Sequence, residues 1–378
     1  MDRVPFSSDP VWAPVMRPLA PLLYLDINHY IELARVAGGK STPAGYERLF
    51  HEVKRAVTQE RVVVVLSSEH PYEMLGIKDP KQRAAVAAVM EEVAKFRYLL
   101  GGPELAQLEF EAGIAAGLQE RLPEIPYPLV RQTALWAHGR KGGLTVRDSA
   151  GNDVTEQARQ EVGPGKFDRM VRWGELELER LILRGPTDEE LPDLIARGWD
   201  GPSALASRES RLAFEQDTSR VLAENPKWRR GRLRDFISGR EFVHEWLDMM
   251  GRVQLERASR GLPPIPNGRM HVVMAGMPKV QVAISMKTRY HRNPEHEWSV
   301  NDITDIDAMS VAFAYCDCLL TDNAARANLE AAKELRAISP PLPKSPNELS
   351  DWLEALPVLT NPWLLVPAGR RPSAEGLS

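Results

Sequence analysis

Leu22-Leu23-Tyr24-Leu25-Asp26 is an apolar run of strand length that stops on a carboxylate, and Cys318-Leu319-Leu320-Thr321-Asp322 repeats the form near the other end of the chain. A short unbroken apolar run reads as a strand covered on both faces. Val62-Val63-Val64-Val65-Leu66 is the clearest of this kind, because β-branched side chains suit the pleat. Helical periodicity follows: residues 30–36, closed by Gly38-Gly39, then 46–59 and 81–95, and later 305–314 and 324–335. Residues 96–100 read as a further strand. Strands alternating with helices over short links predict an α/β fold with a central parallel sheet.

Working outward, residues 1–21 form a proline-rich lead, and the α/β grammar occupies 22–102 and 295–367. Between them, 103–294 reads as a mainly helical inserted lobe. Apolar spacings of three and four place helices at 167–183, 204–223 and 233–260, and Thr187 with Glu190 forms a capping-box pattern. The glycine-rich interval 137–165 reads as a loop or hinge. Ser345-Pro346-Asn347-Glu348 is a strong start for a helix over 349–356. Residues 335–339 and 363–366 read as short strands, and 368–378 as a disordered tail.

The 378 residues can bury a sizeable core, and 43% hydrophobic with 26% charged residues is an ordinary globular balance. A formal charge of −4 argues neither for nor against a polyanionic partner, so nucleic acid would need a local basic surface. Cys316 and Cys318 stand two apart in an apolar run; they read as core fillers on one strand face, without disulfide or metal. That usage fits a reducing cytoplasm. No basic segment precedes an apolar core at the start, and no apolar run approaches the roughly 20 residues that cross a bilayer. The expectation is a cytoplasmic protein without a membrane partner.

In open parallel sheets ligands bind beyond the carboxyl ends of the strands. Asp26 and Asp322 stand at two such ends, and the third strand runs into Ser67-Ser68-Glu69-His70-Pro71-Tyr72-Glu73. Asn301-Asp302-Ile303-Thr304-Asp305-Ile306-Asp307 adds three carboxylates before the Asp322 strand. Acids converging on one edge repel, and a hard divalent cation, Mg²⁺ or Mn²⁺, relieves that repulsion while reaching phosphate oxygens. The bland alternative is that acids at helix starts complement the helix dipole. Paired abrupt strand ends favour function.

Asp26 after an apolar strand, a Ser-x₅-Glu stretch after the next, Asp305 on a late helix, and Tyr315-Cys316-Asp317-x-x-x-Thr321-Asp322 resemble the PIN-like nuclease family, and a bacterial subgroup of it. The resemblance spans roughly residues 22–100 and 301–334. It implies a three-layer α/β/α sandwich and a metal-dependent endoribonuclease, with toxin or defence effectors among its relatives. It matches Asp26, Glu73, Asp305 and Asp322 to the metal-binding and catalytic acids, with Glu69, Asp302 and Asp307 as alternates. Asn28 and Thr321 are candidates to orient Asp26 or a metal-bound water. The long insertion departs from the simplest members and leaves the substrate channel open.

For nucleic acid, RNA favoured over DNA, Lys227, Trp228, Arg229 and Arg230 form the densest basic run, and Lys287, Arg289 and Arg292 lie just upstream of the acidic helix. His291 and His296 read as surface residues. An inhibitor or antitoxin protein and self-association stay open as partners. Two other readings compete: a catalytically degenerate PIN scaffold that binds RNA or protein, and a haloacid-dehalogenase-type phosphatase. The phosphatase needs Asp-x-Asp where this chain has Asp26-x-Asn28.

Overall fold

A computed structural model describes residues 10–118, 120, 127–139, 144–196, 201–266 and 269–369, excepting the side chains of 201–205. The fold is mixed α/β. Its eight strands among the described residues are β1 (Val15–Pro18), β2 (Leu22–Leu25), β3 (Val63–Val65), β4 (Tyr98–Leu99), β5 (Tyr127–Pro128), β6 (Val130–Arg131), β7 (Cys318–Leu320) and β8 (Leu365–Pro367).

β2 is fully buried and lies between β3 and β7, parallel to both, with Leu23 opposite Val64 on one side and Cys318 on the other. A parallel bridge from Leu66 to Tyr98 continues the sheet to β4. The period-two alternation of the strand sends its side chains into two different cores. Leu22, Tyr24, Val63, Val65 and Leu319 pack with the Val300–Tyr315 helix. Leu23, Leu25, Val64, Cys318 and Leu320 pack with helices Ile27–Ala37, Tyr46–Thr58 and Pro80–Ala94. Helices therefore cover both faces. Each buried Leu or Val adds about 1.5–3 kcal/mol relative to exposure, which is why a strand this short holds the centre.

Several boundaries differ from the sequence reading. The lead is not outside the fold: β1 pairs with β5 and β8 in a second sheet, and the buried Arg17 forms an ion pair with Asp317. The middle segment is not wholly helical, because β5 joins β1 and β6 pairs antiparallel with β4. Cys316 caps the end of its helix instead of lying in the strand, so the two buried cysteines enter opposite cores, neither joined in a disulfide. Lys333–Ile338 is a 3₁₀ helix, not a strand. Pro340 and Pro341 follow it, and the carbonyl of Pro341 accepts from Leu319 N–H at 3.2 Å beside β7; proline has no N–H to extend such a ladder.

Other expectations stand where local chemistry is strong. Ser345 accepts from Glu348 N–H at the start of Pro346–Ala355, and Thr187 and Glu190 exchange the reciprocal capping bonds. The 233–260 stretch is helical but carries a π-helical turn at Phe242–Trp246. The 137–165 interval contains the Thr155–Val162 helix, with 140–143 outside the described residues. Of the expected tail, 370–378 also lie outside them. No helix among the described residues is long and apolar enough to cross a membrane.

Candidate active site

Sheet register sets the first two acids side by side. Leu25 is opposite Leu320, and Asp26 N–H donates to Leu320 carbonyl at 3.0 Å, so β2 and β7 end together and release Asp26 and Asp322 at the same edge. Both acids also cap the helices that follow. Asp26 Oδ1 accepts from Ile27 N–H at 2.7 Å, and Asp322 Oδ1 from Ala324 and Ala325 N–H at 2.6 and 3.0 Å. The helix-start role is therefore real, and it holds each carboxylate in a defined orientation at the edge.

The third strand delivers Glu73. After β3, Ser67 leads into the Glu69–Gly76 helix, and His70 ties that turn to β2. Its Nδ1 accepts from Ser67 N–H at 3.0 Å, while Nε2–H donates to Leu25 carbonyl at 2.9 Å, one residue before Asp26. Burial pushes His70 down to about 4, so the ring is neutral and can do both. Asp305 comes from the other layer, on the Val300–Tyr315 helix, which starts at a Ser299–Asp302 capping box, earlier than expected.

The four acids share an electrostatic field. Burial raises Asp26 to about 6, with a further push from the Asp322 charge; Ile27 N–H, the Asp322 backbone and the Asn28 side chain pull it down. Burial and the charges of Asp26, Asp322 and Asp302 raise Asp305 to about 7. Glu73 rises to about 9 through burial and the charges of Asp26, Asp305 and Glu69, against a weaker pull from Arg208. Glu73 Oε2 is buried without a hydrogen-bond partner. Among the described residues, none of these four carboxylates has an ion pair, and no three His, Cys, Asp or Glu side chains are grouped closely enough to enclose a cation as they stand. They face one another at electrostatic range, not at ligand range.

The alternates are otherwise engaged. Glu69 is buried against Arg208, Asp307 forms a bidentate pair with Arg211, and Asp302 is held in its capping box with His296 Nε2 at 3.5 Å. Thr321 is buried at the end of β7, and the exposed Asn28 stands by Asp26. Two groups went unnoticed in the sequence. Tyr290 faces Asp305, Asp302 and Asp322, and His29, hydrogen-bonded to Tyr46 at 2.7 Å, feels the Asp322 charge. Tyr290 reaches the edge from the Pro278–Arg292 helix, far along the chain, while His29 lies on the helix that Asp26 caps and carries no motif of its own.

The basic residues need correction. Lys287 is 1% exposed and its ammonium pairs with Glu215 at 2.8 Å, Glu241 at 2.6 Å and Glu245 at 3.4 Å, so it cannot meet a substrate phosphate. Helical spacing placed it upstream of the acids, but its face turns into the lobe. Arg229 donates to the carbonyls of His291 and Leu222, Arg289 to that of Asn328, and Trp228 packs on Phe236 with ring centres 5.5 Å apart. His291 is buried, bonded to Glu215 at 2.8 Å, and not a surface residue. Lys227, Arg230 and Arg292 remain exposed. In place of the expected strip, the lobe sends Arg208 and Arg211 to the acidic edge. No family model, no curated protein and no solved structure matches this chain.

Proposed function

We propose that the protein is a divalent-metal-dependent nuclease with a PIN-like three-layer sandwich, an endoribonuclease whose acids are Asp26, Glu73, Asp305 and Asp322. One observation carries the reading. Four carboxylates from four separated segments come within electrostatic range at the carboxyl edge of one parallel sheet, Asp26, Glu73 and Asp305 are raised there, and among the described residues none of the four has the basic partner that Glu69 and Asp307 each have. Desolvated acids without counter-charge cost stability, and the orphaned Glu73 Oε2 fits an oxygen donor awaiting a hard cation. Bound there, Mg²⁺ or Mn²⁺ would supply water activation and charge neutralisation at a phosphodiester. The protein's own part is to hold Asp26 and Asp322 through their capping bonds and to bring Glu73 and Asp305 from opposite layers.

The degenerate scaffold has its own support, since the acids stand apart as placed and two of them already cap helices. Asn28 in place of the second acid leaves the phosphatase without its general acid. Purified protein incubated with labelled RNA or DNA, in Mn²⁺ or in EDTA, beside Asp26→Asn, separates the three. Metal-dependent cutting lost in the variant supports the nuclease. Binding without cutting in any metal supports the scaffold, and phosphate release from a small monoester the phosphatase.

A further inference from the structure

A cavity of about 580 Å³ opens next to the acidic edge. Its walls include Ser67 and Ser68 beyond the tip of β3, Glu69 and Tyr72 from the helix that carries Glu73, and Trp246 and Lys279 from the middle segment. The Glu69–Arg208 ion pair belongs to this wall, and Glu73 feels both of its charges, so the cavity and the acids are neighbours.

Lys279 is the unusual member. It is 5% exposed, and its backbone N–H donates to the Glu109 carboxylate at 3.0 Å. Its ammonium has no hydrogen bond and no ion pair among the described residues; Nζ stands 4.7 Å from the centre of the Trp246 ring. A Cβ on Gly102 would come within 2.9 Å of its Cε, so the glycine leaves the lysine its place. The other buried cations here are neutralised: Arg208 by Glu69, Arg211 by Asp307 and Glu245. Asp307, Glu241 and Glu109 act on this ammonium only from beyond ion-pair distance, with Arg211 opposing them, so its donors are open to an anion from a ligand. The cavity has small-molecule size. Tyr72 and Trp246 bring aromatic rings to its wall for a flat base.

We propose that this cavity binds a ribonucleoside monophosphate unit, its phosphate on Lys279 and its base against the aromatic wall. The choice of a nucleotide over another hydroxylated anion rests on the nuclease reading; the anion site at Lys279 does not. Calorimetric titration of the full chain in EDTA, with each of the four ribonucleoside 5′-monophosphates, with inorganic phosphate and with the nucleosides, tests it without using the metal chemistry. Saturable binding of a monophosphate is expected, with phosphate and nucleoside each at least about tenfold weaker. Lys279→Met should weaken it by about 10- to 100-fold, the worth of one charge-assisted hydrogen bond. Gly102→Ala, which crowds the lysine while leaving its charge, should weaken it too, and serves if Lys279→Met does not fold. Absence of binding to the natural protein overturns the inference, as does undiminished binding by folded Lys279→Met or phosphate that binds as well as the nucleotide. Cleavage without nucleotide binding defeats this inference alone; binding without cleavage defeats the nuclease reading alone.

Discussion

Two groups of buried acids sit on neighbouring elements and are treated in opposite ways. In the lobe, Glu215, Glu241 and Glu245 surround Lys287, and Arg211 joins Glu245 to Asp307. Those charges hold Lys287 well above its ordinary range and Glu245 down at about 2, despite burial in both cases. At the sheet edge, Asp26, Glu73 and Asp305 lie among one another, Asp322, Asp302 and Glu69, with Arg208 only a weak opposing charge on Glu73, and all three rise. Asp305 and Asp307 make the contrast on a single helix, two residues apart: one is raised and unpaired, the other lowered and clasped by Arg211. Pairing holds Asp307 and Glu245 down, while burial still raises the paired Glu241 and Glu69; the edge differs in that its acids rise without an ion pair among the described residues.

The largest effect should come from breaking the paired side. Lys287→Met removes the cation shared by Glu215, Glu241 and Glu245, leaving Arg211 on Glu245 alone, and should cost about 3–5 kcal/mol of unfolding free energy, read by urea denaturation. A loss under about 1 kcal/mol would mean the network is not what secures the lobe. On the unpaired side, Asp26→Asn should lower cleavage by about 10²- to 10³-fold, several kcal/mol of transition-state stabilisation, with folding retained. Retained activity would remove Asp26 from the centre.

Cation addition should then distinguish the two regions. Mn²⁺ at about 100 times its Kd should add about 2.7 kcal/mol to the natural protein, while Asp305→Asn responds much less and Asp307→Asn loses stability without losing the response. Equal responses in all three would break the contrast. A smaller effect is the pH slope in EDTA. The folded state of Glu73 holds its proton up to about 9, whereas an unfolded glutamate has released it by pH 7. This contribution is complete below the ordinary carboxylate range and is lost as pH rises through about 9. Unfolding free energy should therefore fall between pH 7 and 9, and Glu73→Gln should flatten the decline; an unchanged slope would show that Glu73 is not desolvated. His29 and His70, lowered to about 4, are neutral when folded, and unfolded histidine with an ordinary value of about 6.5 is mostly neutral above pH 7, so they add only a small opposing rise near pH 7.

How far the chain could be read in advance depended on whether the signal was local. An apolar run has to be covered, and an acid that ends it can cap the helix behind it; both facts lie within a few residues, so β2, β3, β7, Asp26 and Asp322 were legible. The Ser345 cap was legible for the same reason. The sequence favoured Glu73 over Glu69 as standing on the helix instead of in the turn, yet both lie on Glu69–Gly76 and what separates them is Arg208, 139 residues from Glu69. Helical spacing does set Asp305 and Asp307 on different faces, but that Arg211 clasps Asp307 came only with the fold. The basic residues misled because charge in a sequence carries no burial: Lys287 looks like a phosphate ligand until the lobe encloses it.

Local sequence chemistry thus settled the element types, the strand tips and which residue kinds could gather there. Folding alone decided which acids were neutralised, that residues 103–294 contribute strands and arginines to the core region, and that Lys279 lines a cavity without a close ion pair among the described residues. The physical reason is range. Capping and periodicity act across one or two turns of chain, whereas the solvation and pairing of a charge depend on whatever the rest of the molecule brings within a few ångströms.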